Sequence, residues 1–294
     1  MGSQIKHIVV TGGFGFLGRS LVSKLIEKNY LITIIEKQET VNPFTMLKNT
    51  KVFYSDNLDF SKLFEIKTDL IIHTATLYGR NNETMHNIFE TNLKFPLNLL
   101  EAAIEYNVPY FINTDTILNK HTNYYSLSKK QFGEWLQMLS ENISIINLSL
   151  EHFYGPGASE SNFITLMIKK LLSHEASIDL TEGLQKRNFI FISDIIDAYL
   201  LTIDCINNGI IKGPINNYAV SSNEIISIKE LTLKLKKITN SQVKLNFGAI
   251  PYRKNEIMEP VPANNALQQL EWNPSVSLDE GLKKTVKSIV NNKK

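Results

Sequence analysis

Thr11-Gly12-Gly13-Phe14-Gly15-Phe16-Leu17-Gly18 is the stretch that most restricts what this chain can fold into. It follows an apolar run, Ile5 to Val10, and opens a helical pattern through Leu17, Leu21, Leu25 and Ile26. Strand, tight turn and helix are therefore predicted in that order. Gly12 permits the tight turn, Gly15 lets the backbone approach a pyrophosphate, and Gly18 allows close helix–strand packing. The phosphates would lie at the positive end of the helix. The next apolar run, Leu31 to Ile35, ends at Glu36, 18 residues beyond Gly18, where a carboxylate can accept hydrogen bonds from ribose hydroxyls. The same charge repels a 2′-phosphate, so Glu36 leans toward NADH, and Lys37 and Arg19 partly offset that lean.

A second motif, Tyr125-Ser126-Leu127-Ser128-Lys129, lies about a hundred residues on. Its Tyr and Lys are spaced i, i+4 and share one side of a helix. An ammonium beside a phenol favours the phenolate, which predicts a lowered pKa for Tyr125. In a reduction, Tyr125 would give its proton to the developing alkoxide while a hydride arrives from a nicotinamide. A hydroxyl at the end of the preceding strand should steady that oxygen, and Thr114 is placed there. A Tyr-x-x-x-Lys alone reads as an exposed helix face. Glycine turn and Tyr–Lys pair together, in this order, point to redox chemistry on a carbonyl or alcohol.

Further strands are predicted at Val52–Tyr54, Leu70–His73, Tyr110–Ile112 and Ile143–Leu150. A long helix is predicted from Met85 to Ile104, bent by Pro96 or missing a hydrogen bond there, and another over Tyr124–Ser140. Alternating strands and helices imply an α/β class fold, a doubly wound parallel sheet covered on both faces. Composition shifts at Tyr154-Gly155-Pro156-Gly157. Residues 1–153 are read as the dinucleotide-binding domain, also receiving part of 185–207, and 154–294 as mainly a substrate lobe that closes over the strand ends.

With 294 residues, a net charge of +2 and dispersed basic residues, nothing suggests a nucleic-acid partner. The single cysteine, Cys205, excludes an intramolecular disulfide and reads as a packing residue. No apolar stretch approaches the ~20 residues that span a bilayer. No signal peptide is visible, so a cytoplasmic protein is expected. His7, His73, His86, His121 and His174 show no metal-ligand spacing, so no metal is expected. The Asn291-Asn292-Lys293-Lys294 end reads as a solvated tail.

At this point the chain resembles the extended short-chain dehydrogenases/reductases acting on nucleotide-activated sugars. The resemblance runs from Thr11-Gly12 to Trp272-Asn273-Pro274 and includes His73-Thr74-Ala75, Tyr154-Gly155-Pro156, Arg187-Asn188-Phe189-Ile190-Phe191-Ile192 and Tyr252-Arg253. It implies a dinucleotide, NADPH or NADH, against Gly12, Gly15, Phe16, Leu17, Gly18, Glu36, Thr74, Ala75, Tyr125 and Lys129. The adenine falls at Asp56 and Asn57. It implies the catalytic set Thr114, Tyr125 and Lys129, with Arg187 and Arg253 on the diphosphate of a nucleotide-diphosphate sugar and Asp115 and His152 on the sugar; Asp115 reads equally as a second acid or as a hydrogen-bond anchor that orients the site. It also implies a homodimer, the helices containing Leu93 and Trp135 facing their mates.

Three departures narrow the expected activity. Asn113-Thr114-Asp115-Thr116 is similar to the Thr-Asp-Glu of sugar-nucleotide 4,6-dehydratases, but Thr116 replaces the basic Glu, which argues against dehydration. His152 stands where many relatives have Asn, and Asn188 where the usual residue is Asp. Leu150-Glu151-His152-Phe153-Tyr154-Gly155-Pro156-Gly157 and Phe247-Gly248-Ala249-Ile250, leading to Asn255-Glu256-Ile257-Met258, resemble the CDP-abequose synthase-like 4-ketoreductases of deoxysugar pathways. This branch commonly uses NADPH, in tension with Glu36. The expected reaction is NAD(P)H-dependent reduction of the C4 ketone of a CDP- or dTDP-linked 4-keto-deoxyhexose. The rivals are a 4-epimerase with tightly bound NAD and a non-catalytic dinucleotide-binding protein.

Overall fold

The computed structural model describes residues 4–44, 50–173, 175–222, 224–260 and 265–291; His174 and residues 292–294 of the expected tail lie outside the described residues. The elements begin with β1 (His7–Thr11), α1 (Phe16–Glu27), β2 (Leu31–Glu36), β3 (Thr50–Tyr54), α2 (Phe60–Leu63), β4 (Leu70–His73), α3 (Met85–Phe89) and α4 (Phe95–Glu105). Then come β5 (Tyr110–Thr116), α5 (Tyr124–Leu139), β6 (Ser144–Leu150), β7 (His152–Tyr154), α6 (Phe163–Leu171), β8 (Ser177–Leu180) and β9 (Lys186–Phe191). The last are α7 (Ile192–Asn207), β10 (Ile215–Val220), β11 (Ile225–Ser227), α8 (Ile228–Ile238), β12 (Lys244–Phe247) and α9 (Leu278–Asn291). Two compact units result.

The first unit comprises Met1–Leu150, Ile196–Ala219 and Asn264–Trp272. Its seven-stranded sheet has the order β10–β6–β5–β4–β1–β2–β3, and the pairs from β3 through β6 are all parallel. Strands β1 and β4 are buried along their whole length, as expected of strands covered on both faces. Val9, Ile71 and Phe111 pack with Leu99, Leu100, Phe132 and Leu136 of α4 and α5 in one core. Strand order reverses between β1 and β4, the position at which such sheets receive ligands.

Helix starts follow local chemistry. Asn123 and Ser126 form a reciprocal capping box that fixes the first turn of α5, the turn carrying Tyr125. The predicted helix from Met85 to Ile104 is divided instead: Glu90–Lys94 forms a wide π-type turn between α3 and α4. Pro96 explains it, since its ring crowds the carbonyl four residues back and it has no N–H to donate. Strand β5 runs to Thr116, past the predicted end at Ile112, so Thr114 lies within the strand.

The second unit comprises Glu151–Ile195, Val220–Ala263 and Asn273–Lys294. It holds a three-stranded sheet, β11–β9–β7, and a two-stranded one, β12–β8. Helices α6, α8 and α9 pack against one another. Asp194 accepts hydrogen bonds from the Ser275 and Val276 N–H groups and the Ser275 hydroxyl, anchoring the approach to α9. Among the described residues no helix is long and apolar enough to cross a membrane.

Candidate active site

The first unit gathers the residues expected to hold a dinucleotide. Gly12 has φ +68, and a Cβ there would stand 2.7 Å from Ala75 Cα. A Cβ at Gly18 would collide with the Gly12 carbonyl oxygen. The Thr74 hydroxyl donates to Thr11 O at 2.6 Å, and the Thr74 and Ala75 N–H groups both reach Thr11 Oγ1 at 3.2 Å. The turn after β1 and the segment after β4 are thus sewn together. No side chain caps α1 at Gly15, so its N-terminus is left to the backbone of Gly15, Phe16 and Leu17. These features fit a dinucleotide pyrophosphate: the backbone can come close and the helix end favours an anion.

Glu36 lies beside this cradle. Its Oε2 accepts from the Phe14 N–H at 3.0 Å, and Oε1 accepts from the Lys37 N–H at 2.9 Å and the Thr40 hydroxyl at 3.3 Å. The carboxylate therefore braces the glycine turn, a role the sequence did not reveal, while lone pairs remain for ribose hydroxyls. Asp56 and Asn57 follow β3, and Asp56 accepts from the Gln38 N–H at 3.4 Å.

Tyr125 and Lys129 occupy one side of α5, and Lys129 is only 1% exposed. The Tyr125 ring leans on Tyr78 with centroids 4.9 Å apart. Burial raises the Tyr125 pKa well above its usual value, the Tyr78 phenol adds to the rise, and Thr116 opposes it. The expected lowering by Lys129 is not found. The ammonium is itself desolvated, and its pKa falls to about 8 through burial, with Asp115 pulling up and Lys130 pushing down. In this state Tyr125 holds its proton firmly.

Along β5, successive side chains face opposite ways. Thr114 meets the Tyr199 hydroxyl of α7 at 2.6 Å. Asp115 turns instead to Lys130, with Oδ2 2.7 Å from Nζ. That oxygen also accepts from Asn147 Nδ2 and Ser149 Oγ, both at 3.3 Å, and Oδ1 takes the Thr116 N–H at 2.7 Å. Asp115 is 4% exposed and ion-paired with Lys130. It holds the end of β5 in place.

Asn92, in the π-type turn, is fully buried and saturated. Its Oδ1 accepts from the Leu77 N–H and the Thr76 hydroxyl, while Nδ2 donates to Leu77 O at 2.9 Å and Ser128 Oγ at 3.0 Å. Ser128 donates in turn to the Tyr125 carbonyl at 2.8 Å. One side chain thus ties the loop bearing Tyr78 to the helix bearing Tyr125. Tyr78, Asn92, Lys130 and Tyr199 were not singled out from sequence; a polar Asn amid an apolar helical stripe was the one available signal.

In the second unit, half-buried His152 has Nδ1 3.2 Å from the Glu151 carboxylate, and its ring lies 5.9 Å from that of Phe189. Arg187 pairs with the Glu256 carboxylate and donates to Lys186 O at 2.7 Å and Ile257 O at 2.5 Å. Its guanidinium is thus already coordinated, whereas Arg253 is exposed. Asn188 both donates to Ser222 O and accepts from Ser222 N–H, a two-way clamp that an ionised Asp cannot make. Among the described residues no group of three or more His, Cys, Asp or Glu is arranged to hold a metal.

Residues 8–216 match the model of the NAD dependent epimerase/dehydratase family. A CDP-abequose synthase of Salmonella muenchen is 32% identical over 290 residues, covering 95% of this chain and 96% of that protein. Its counterpart from Salmonella typhimurium is 30% identical over 298 residues, covering 97% and 98%. A UDP-glucose 4-epimerase from Thermotoga maritima, solved with UDP-glucose, superposes with a TM-score of 0.86 at 22% identity, covering 98% of this chain and 100% of that one. This chain belongs to the NAD dependent epimerase/dehydratase family.

Proposed function

We propose that this protein uses NADH or NADPH to reduce the C4 ketone of a nucleotide-linked 4-keto-deoxyhexose. The observation that carries the reading is geometric: Tyr125 and Lys129 on one side of α5, the Thr114 hydroxyl on β5, and the neighbouring Asp115 carboxylate already bound to Lys130. Reduction needs a proton donor at the carbonyl oxygen, whereas abstraction of a proton from carbon or from an alcohol needs a base. Full-length similarity to CDP-abequose synthases supports the nucleotide-sugar class.

When bound, the dinucleotide supplies the hydride. Tyr125 transfers its proton to the C4 oxygen as the ketone becomes an alcohol, and Thr114 donates a hydrogen bond to that oxygen. The tyrosinate left behind is compensated by the Lys129 ammonium one turn away, so the lysine acts after proton transfer. Arg187 and Arg253 are proposed for the diphosphate and His152 for the sugar. Met85, Phe89, Trp135 and Met138 are exposed on α3 and α5, apolar surface that supports a homodimer.

The deciding experiment follows nicotinamide absorbance with purified protein, NADH or NADPH, and a panel of CDP- and dTDP-linked 4-keto-deoxyhexoses. Stoichiometric cofactor oxidation with one sugar is expected. No oxidation, with NAD released on denaturation, would transfer the assignment to a 4-epimerase.

Cofactor choice has its own test. Glu36→Ala removes both the ribose acceptor and the brace on Phe14 N–H. NADH affinity is expected to fall about tenfold, on the scale of a lost charge-assisted hydrogen bond. NADPH should lose less, because the 2′-phosphate is freed from the carboxylate's repulsion. Titration by fluorescence quenching reads both; equal losses would remove Glu36 from the ribose site.

A further inference from the structure

We propose that Tyr199 is a positioning residue: its phenol fixes the Thr114 hydroxyl as a donor aimed at the substrate oxygen. The inference rests on the ketone-reduction reading above and deepens it. Tyr199 is fully buried on α7, 85 residues from Thr114 in sequence, and the two oxygens are 2.6 Å apart.

Each oxygen carries one proton, so the direction of the bond decides what Thr114 can do next. Thr114 Oγ1 is the hydrogen-bond partner that the Tyr199 phenol has among the described residues. Were Thr114 the donor, the Tyr199 proton would be left buried and unpaired, which is costly. A phenol is also the more acidic of the two hydroxyls and hence the better donor. Both arguments set Tyr199 as donor and Thr114 as acceptor. The Thr114 proton is then directed away from α7, to whatever oxygen is presented at β5. A threonine hydroxyl without such a partner rotates among its staggered positions and can equally present a lone pair, which repels a carbonyl oxygen. The phenol also polarises the threonine O–H, strengthening it as a donor.

Tyr199→Phe retains the ring and its packing and removes only the hydroxyl. With the sugar that wild type reduces, kcat is expected to fall about tenfold, a fraction of the ~100-fold expected when Thr114→Val removes the donor itself. The sugar KM should move by less than about twofold, because orientation matters most in the transition state. In the Thr114→Val background, Tyr199→Phe should cost nothing further; in Thr114→Ser, which keeps a hydroxyl, it should cost the same tenfold. Thermal stability of every variant is recorded alongside. Equal losses from Tyr199→Phe in the wild-type and Thr114→Val backgrounds, or a lowered melting temperature with kcat unchanged, would overturn the proposal. If wild type turns over no sugar of the panel, the reaction assignment falls and the proposal with it. That failure is visible before any variant is made, so the two are distinguishable.

Discussion

Tyr125→Phe is expected to lower kcat by about a thousandfold, within the range for loss of a positioned general acid, or about 4 kcal/mol of transition-state stabilisation. Cofactor affinity should change little, since the glycine turn, Glu36 and Thr74 make their contacts elsewhere in the unit. The Tyr78 ring still has a phenyl partner, so the fold around α5 should stand. Single-turnover kinetics with pre-bound reduced dinucleotide isolate the chemical step. Retained turnover would remove Tyr125 from the proton-transfer role.

Lys129→Met should do two opposite things. Activity should drop by a factor on the order of a hundred, because the tyrosinate formed on proton transfer loses its counter-charge. Stability should rise. The Lys129 pKa, lowered from 10.5 to about 8 chiefly by burial, corresponds to about 3 kcal/mol of penalty for keeping that charge inside the fold at neutral pH. The sign follows from linkage. Below pH 8 both folded and unfolded chains carry the proton, and the folded state bears the whole penalty. Between pH 8 and 10.5 the unfolded chain binds more protons than the folded one, so wild type recovers stability as pH rises. The advantage of Lys129→Met in denaturant midpoint should therefore be full at pH 7 and fade toward pH 10.5. A variant less stable than wild type at pH 7 would mean that the ammonium is satisfied rather than merely buried. Wild-type kcat should decline as pH passes about 8, where the lysine loses its charge.

What could be read from sequence was local. The β1 run, the glycines, the α1 stripe and Glu36 lie within one stretch of chain, and each constrains the next through backbone geometry. Tyr125 and Lys129 were legible because a helix brings i and i+4 together. Tyr199 and Thr114 are a partnership of two separate elements, and no spacing marks it. For Asp115 the sequence left a sugar contact, a second acid and an anchor open, because its ion pair with Lys130 joins a strand to a helix 15 residues on. The direction of the Tyr125 pKa also escaped, since burial depends on Tyr78, which arrives from another loop. In the second half, β8 and β12 are four residues each and pair across 67 positions, too short for periodicity to register.

The saturated Asn92 has a consequence for the loop beside Tyr125. Because it grips both the N–H and the carbonyl of Leu77, the start of that loop is fixed by its backbone. Residues beyond that grip, Gly79 to Asn82, are exposed. Within that stretch Arg80 stacks on the Tyr78 ring at 4.8 Å, so a change there reaches the ring that leans on Tyr125. The loop is thereby held to α5 twice, by backbone through Asn92 and by side chain through Tyr78, and loosening one leaves the other in place.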